Sequence, residues 1–348
     1  MPLKDIKELS PQELQAFMAS RNRPVFHARQ VFSWIYARRA GSFDEMSNLP
    51  ADLRSALKEN FSLSSVRLDK SIESRDGTKK LLLGLRDNNL VEAVLIPAEK
   101  RVTGCISSQV GCKFCCRFCA SGMLGFKRNL SAAEMLDEVL FLKDNSGHKK
   151  LTHIVFMGTG EPLDNYDNVL KTIRVLNSPF GLNIGSRRIT ISTSGVIPGI
   201  LKLAQENLQI ELSVSLHAAT EETRDLLMPV NKIYPLRQLM KAAAQYISKT
   251  NRQVTFEYIL IKGVNSDLKN AQKLCKILKG LLCKVNLIPA NTIKELNIGP
   301  PGRDEVLSFK KALLGSGITA TLRKPRGEDI EAACGQLRLK YEKNLFSR

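Results

Sequence analysis

No apolar run in this chain reaches the ~18 residues of a membrane-spanning helix, which excludes that class of protein. The first ten residues, MPLKDIKELS, are too polar for a secretory signal. Low-complexity stretches and internal sequence repeats are absent, so neither a disordered tether nor a repeat array is expected. Acidic residues are scarce relative to basic ones, 34 against 52, for a formal charge of +18. Solubility needs only a modest net charge. A surplus this large points to a polyanionic partner, because neutralised phosphates release condensed counterions. Cysteine is not scarce: there are eight. Without a leader they predict a cytoplasmic protein that uses thiols for metal or redox chemistry rather than as staples.

At 348 residues the chain has room for one barrel-like domain with a small appendage. Residues 1–65 read as a helical accessory unit. Ser10-Pro11-Gln12-Glu13 is an N-cap, a first-turn proline and a capping-box partner. A second helix carries Val31, Phe32, Trp34, Ile35 and Tyr36, with Arg21, Arg23, Arg29, Arg38 and Arg39 around it, and a third spans about 51–60. The aromatics read as core, and the arginines as candidate phosphate contacts.

Residues 66–97 change period and read as a β-strand connector. Strands at 66–73, 79–85 and 90–96 are separated by Asp76-Gly77 and Asp87-Asn88-Asn89 turns. From 98 to 340, apolar strands alternate with amphipathic helices, one opened by the capping box Ser131-Ala-Ala-Glu134. Strands are expected at 102–107, 152–157, 188–193, 210–216, 254–261 and 284–288. Alternation of this kind predicts an α/β fold with a parallel sheet and right-handed crossovers, ligands sitting at the carboxyl ends of the strands. Residues 341–348 form a tail.

The sharpest motif is Cys112-x-x-x-Cys116-x-x-Cys119, in VGCKFCCRFCASG. Three thiolates at this spacing can hold a four-iron, four-sulfur cluster by three corners and leave one iron open to a small molecule. The same spacing also fits one face of a helix of buried cysteines, or a zinc site given a fourth ligand. Cys115 falls outside the spacing and reads as a non-ligand.

With GFKRNL, MGTGEPL, ISTSGVIP, SLHA, MPVN, NLIPAN and ACGQL following in order, the chain resembles the RlmN/Cfr family of radical S-adenosylmethionine RNA methyltransferases over roughly 5–340. The resemblance implies a partial (β/α)6 radical-SAM barrel, a 4Fe-4S cluster on Cys112, Cys116 and Cys119, and S-adenosyl-L-methionine bound by Gly160, Glu161, Ser192, Ser215, Leu216, His217 and Asn291. Thr159 stands where the family carries methionine, and the neighbours of Asn291 differ from the Trp-Asn-Pro variant of some relatives. Cys105 and Cys334 match the family's redox-active pair, and Glu92 its proton acceptor. A lone Glu in an alternating strand would otherwise face solvent. Cys275 and Cys283 match no role and read as structural.

The reaction implied is methylation of an sp2 carbon of adenosine, too poor a nucleophile for direct displacement. One S-adenosylmethionine methylates Cys334, and a second, cleaved at the cluster, turns that methyl group into a methylene radical that adds to carbon 2. Glu92 then accepts a proton and Cys105 releases the product by forming a disulfide with Cys334. The implied substrates are the peptidyl-transferase centre of 23S rRNA and an anticodon-loop adenosine of tRNA. The implied partners are a low-potential donor such as flavodoxin or ferredoxin, with the enzyme a monomer and no membrane involved. Two alternatives stand beside this: Cfr-type methylation of carbon 8, and a non-catalytic, metal-stapled RNA-binding protein.

Overall fold

The computed structural model describes residues 3–119, 122, 125–291, 299–323 and 326–330. The N-terminal unit begins with β1 (Lys4–Asp5), followed by α1 (Pro11–Ser20), α2 (Phe26–Phe32), α3 (Ala51–Asn60) and β2 (Phe61–Ser62), which pairs with β1. The expected capping box opens α1: the Glu13 amide donates to Ser10 Oγ at 3.1 Å and the Ser10 amide to Glu13 Oε2 at 2.6 Å. The second helix is not regular throughout, since Ser33–Ala37 widens into a π-turn that carries Trp34, Ile35 and Tyr36.

Among the described residues one ten-stranded sheet dominates. Its antiparallel flank is β3 (Val66–Glu73), β4 (Lys79–Leu85) and β5 (Leu90–Pro97), leading to β6 (Val102–Ile106). After β6 the chain makes a small antiparallel pair, β7 (Gln109–Gly111) and β8 (Phe126–Asn129), and then α4 (Ala132–Asp144). The alternation follows: β9 (His153–Phe156), α5 (Tyr166–Asn177), β10 (Ile189–Thr193), α6 (Ile197–Leu203), β11 (Glu211–Ser215), α7 (Glu221–Leu227) and α8 (Leu236–Thr250). It ends with β12 (Val254–Leu260), α9 (Leu268–Leu278), β13 (Cys283–Pro289), α10 (Arg303–Gly315) and β14 (Thr319–Leu322). Strands β6 and β9 to β14 are all parallel neighbours.

Among the described residues the sheet thus has a seventh parallel strand, β14, where six were expected. Only Ala320 in it is buried, so it carries no apolar run to announce it. The pair β7/β8 was equally unannounced; it clamps the two ends of the cysteine segment.

The sheet's register aligns side chains across the barrel wall. Lys80 faces Val94, Val94 faces Cys105, Cys105 faces Val155, and Val155 faces Thr190. Residues two apart on a strand share a face, so Glu92 stands beside Val94 on this same face. The expectation that a lone strand glutamate faces solvent fails here. Glu92 is 4 % exposed, because the antiparallel flank extends the barrel wall rather than forming a free edge.

The N-terminal unit is locked to α4 by a buried charge cluster. Lys7 Nζ lies 2.9 Å from Asp5 and 3.2 Å from Asp137, while Ser65 donates to both acids. Arg39, read as a candidate phosphate contact, pairs with Asp144 at 2.8 Å. Arg128 is likewise engaged, with Glu134 at 2.8 Å and with Asp87.

Candidate active site

Residues 112–119 of the cysteine segment, which follow β7, are turns rather than helix, which removes the reading of a cysteine-lined helix face. Several backbone links fold it. Cys112 donates its amide to the Gly125 carbonyl at 3.0 Å, Cys119 to Cys116 at 3.0 Å, and Arg117 to Leu227 at 3.0 Å. Gly122 passes so close that a Cβ there would sit 2.9 Å from Cys115 Cα. Cys115 takes a left-handed φ of 48° and is exposed, whereas Cys112, Cys116 and Cys119 are half-buried. This geometry separates the three spaced thiols from the fourth.

Burial first, with the nearby acid of Glu161 and the other thiols and against a hydrogen bond from the Phe114 backbone, pushes the Cys112 thiol up to about 12. Cys116 is pushed up for the same reasons, burial first and then the charges of Cys119 and Cys112. Thiolates crowded in an apolar setting need a cationic centre to take their charge, and metal binding supplies it as the protons leave. Among the described residues, no three His, Cys, Asp or Glu side chains converge as one metal ion would need. A cubane asks for less convergence, because each thiolate binds a different iron. The donor set therefore fits an iron–sulfur cluster.

The turn Gly158-Thr159-Gly160-Glu161 follows β9 and packs on the cysteine segment's root. Thr159 accepts the amides of Ser108 at 2.8 Å and Gln109 at 3.2 Å, and the Glu161 amide donates to Gln109 Oε1 at 2.8 Å. Gly160 has φ 105°, and a Cβ on it would lie 2.5 Å from Gln109 Cβ. Glu161 is buried, and its carboxylate accepts from the Ser194 amide at 2.7 Å, Ser194 Oγ at 2.8 Å and the Leu163 amide at 3.0 Å. Burial raises its pKa while these donors lower it. The acid thus ties the glycine turn to the end of β10, and the turn's backbone is what remains to meet a ligand.

Ser192 and Ser215 lie half-buried on β10 and β11, and Leu216 and His217 follow directly, both buried. His217 takes a left-handed φ of 56° and accepts the Ile259 amide on Nδ1 at 2.9 Å. Its proton therefore resides on Nε2. Burial, with Arg224 nearby, lowers its pKa to about 3, so the ring stays neutral. Its ring meets Phe118, a residue between two of the spaced cysteines. Asn291 is exposed just after β13. Cys105 is buried on β6, and Cys334 lies outside the described residues.

Sequence reasoning missed several residues that this geometry brings in. Arg224 on α7 is fully buried and donates to the carbonyls of Ser194 at 2.6 Å, Leu216 at 3.3 Å, Ser215 at 3.4 Å and Tyr234 at 3.4 Å, and to Asn231 at 2.8 Å. A charged residue in a short helix carries no signal for that role. Glu257 on β12 is buried beside Asn286, which donates to it at 2.8 Å; burial raises its pKa. Lys80 is fully buried with its Nζ 3.5 Å from Glu92 Oε1.

The chain has relatives along nearly its whole length. Residues 106–275 match the Radical SAM superfamily, and residues 4–63 match the ribosomal RNA large subunit methyltransferase N-terminal domain. A probable dual-specificity RNA methyltransferase RlmN of Caldanaerobacter subterraneus is 46% identical over 97% of this chain and 99% of its own length. A protein of the same description from Geobacillus kaustophilus is 44% identical over 98% and 94%. The crystal structure of a radical SAM methyltransferase from Sphaerobacter thermophilus superposes with a TM-score of 0.92 at 42% identity, covering 96% of this chain and 99% of that one. Fold, cysteine segment and near full-length identity together establish that the chain belongs to the RlmN family of radical S-adenosylmethionine RNA methyltransferases.

Proposed function

We propose that this enzyme methylates carbon 2 of an adenosine in the peptidyl-transferase centre of 23S rRNA, and an anticodon-loop adenosine of tRNA, through a methylated cysteine. The carrying observation is a convergence at the carboxyl ends of the parallel strands. The cysteine segment, the Gly158–Glu161 turn and the His217 corner are bonded to one another there through Gln109, Ser194, Phe118 and Arg224. As in its family, the enzyme's cofactors are a 4Fe-4S cluster and S-adenosyl-L-methionine.

In this reading Cys112, Cys116 and Cys119 hold the cluster. Gly160, Glu161, Ser192, Ser215, Leu216, His217 and Asn291 form the wall against which S-adenosylmethionine is oriented. When bound, the two cofactors supply one-electron cleavage, and hence the hydrogen abstraction that an unreactive ring carbon requires. Cys334 carries the methyl group to the base. The last described residue before it, Ile330, is four positions away, a reach of about 14 Å at full extension. Cys105, on the barrel wall, attacks the Cys334 sulfur; the sulfur–carbon bond breaks, the freed carbon takes up a proton to become the methyl group, and the disulfide left behind must be reduced, while a low-potential donor such as flavodoxin or ferredoxin supplies the electron that cofactor cleavage needs. Glu92, two residues along β5 from the residue facing Cys105, takes the proton from carbon 2. The base must leave its stack to reach this depth, so a protein-free 23S rRNA fragment is a better substrate than an assembled ribosome.

Nucleoside mass spectrometry of RNA treated with anaerobically reconstituted, monomeric enzyme tests the reading. The expected product is 2-methyladenosine. Only 8-methyladenosine would move the protein to the Cfr branch, and no methylated nucleoside in any RNA would overturn the proposal.

A further inference from the structure

We propose that Lys80 is a positioning residue for the proton-transfer step, holding the Glu92 carboxylate in its charged, proton-accepting form against carbon 2 of the substrate base. The inference rests on the reading of Glu92 as proton acceptor and adds a partner to it.

Lys80 and Glu92 lie on adjacent antiparallel strands. Lys80 faces Val94 and Glu92 faces Leu82, so the two are diagonal neighbours on one face. Lys80 is 0 % and Glu92 4 % exposed, and Nζ stands 3.5 Å from Oε1. Their surroundings are apolar: Leu82, at 0 % exposure, and Leu90, at 7 %, pack there, with Ile72 against them. A carboxylate in such a place keeps its charge only with a cation beside it. On the neighbouring strand, the β6 residue facing Val94 is Cys105. The backbone around Glu92 is also fixed, since Ser107 Oγ donates to the Glu92 carbonyl at 2.8 Å and the Ser107 amide donates to Glu138 at 2.8 Å. Position along the strand is therefore set by the sheet, and Lys80 holds the carboxylate at Oε1.

The same row of facing residues, Lys80, Val94 and Cys105, brings the resolving thiol within one strand of this pair. Acceptor and thiol act on the same adduct, which accounts for their sharing a face. In the step itself the C2–H bond of the adduct breaks, its electron pair stays with the purine, and the proton passes to Glu92. Glu92 becomes a neutral acid, while Lys80 keeps its proton. No oxidant or further reactant is consumed in this transfer.

The test compares Lys80→Met, Lys80→Arg, Glu92→Gln and the Lys80→Met/Glu92→Gln double variant in the reconstituted full-length enzyme. Each is given a 23S rRNA fragment with protium or deuterium at carbon 2 of the target adenosine. Readouts are product formation, denaturation-resistant protein–RNA adduct, and the isotope effect on adduct resolution. Iron content and thermal unfolding check that each variant is folded. Lys80→Met is expected to slow resolution by on the order of a hundredfold, to accumulate adduct, and to raise the isotope effect above that of the parent. Lys80→Arg should recover part of the rate, and the double variant should be no slower than Glu92→Gln. If Glu92→Gln stalls while folded Lys80→Met resolves adduct at the parental rate and isotope effect, the role of Lys80 is overturned. If Lys80→Met does not fold, Lys80→Arg decides by the same two readouts: an unchanged isotope effect with a rate as low as that of Glu92→Gln overturns the role. If Glu92→Gln itself resolves adduct normally, the assignment of the acceptor falls first and the role of Lys80 with it.

Discussion

The ring of Phe118 stands edge-on to the imidazole of His217, centroids 4.7 Å apart at an interplanar angle of 78°. One ring belongs to the cysteine segment and the other to the corner after β11, so the contact joins the cysteine-bearing turns to the barrel rim. An aromatic pair of this geometry contributes about 0.5–1.5 kcal/mol beyond its area burial. Phe118→Ala is expected to leave global unfolding nearly unchanged and to speed iron loss to a chelator severalfold. Hydrogen exchange at the Arg117 amide, which bonds to Leu227, should rise with it. Iron loss at the parental rate would show that the contact does not steady the segment.

His217 sets a pH dependence of stability with a definite sign. Burial lowers its pKa to about 3, whereas an unfolded histidine titrates near ~6.5. The unfolded chain therefore binds a proton that the folded chain refuses. This contribution to stability is present above about pH 6.5 and is lost as pH falls towards 3. Denaturation midpoints should drop between pH 7 and 5 more steeply in the parent than in His217→Asn.

Gly160 is required for steric reasons. With φ 105° and Gln109 backbone nitrogen 2.7 Å from where a Cβ would be, alanine forces the glycine turn off β7. Gln109 also bridges Asn129 and Asp164 at 2.9 Å each, so the displacement spreads to β8 and the segment after the turn. Gly160→Ala is expected to weaken S-adenosylmethionine binding at least tenfold in a folded protein, read by calorimetry on the reconstituted enzyme.

Local patterns were legible in the residues, and cross-strand ones were not. Ser131 and Glu134 form their capping box at 3.2 and 2.9 Å, because both partners lie within one turn of helix. Strands β3 and β4 begin and end where the Asp-Gly and Asp-Asn-Asn turns dictate, Gly77 taking φ 81° and Asn88 φ 63°. Glu92 and Lys80, by contrast, are twelve residues apart and meet only through sheet register, which no local pattern reveals. Arg128, in the GFKRNL run, looks in the sequence like any other basic residue. Asp87 and Glu134, from the β4–β5 turn and from α4, claim it only in three dimensions.

That engagement separates structural arginines from those free to meet RNA. Arg128 is held by two carboxylates, and Asp87's own pKa is lowered first by its hydrogen bond to Arg128. Arg38 lies instead on the exposed face of the N-terminal unit, its guanidinium 4.3 Å from the Trp34 ring centroid, where it can stack and still reach a phosphate. Arg38→Gln should reduce the slope of log affinity against log salt by about one for a 23S rRNA fragment, the signature of one lost phosphate contact. Arg128→Gln should leave that slope unchanged and lower the unfolding temperature, because it strands two acids that α4 and the β4–β5 turn hold together. Filter-binding titrations across salt concentrations, with thermal unfolding of the same variants, read both effects; the opposite pattern would place the RNA along β8 instead of on the helical unit.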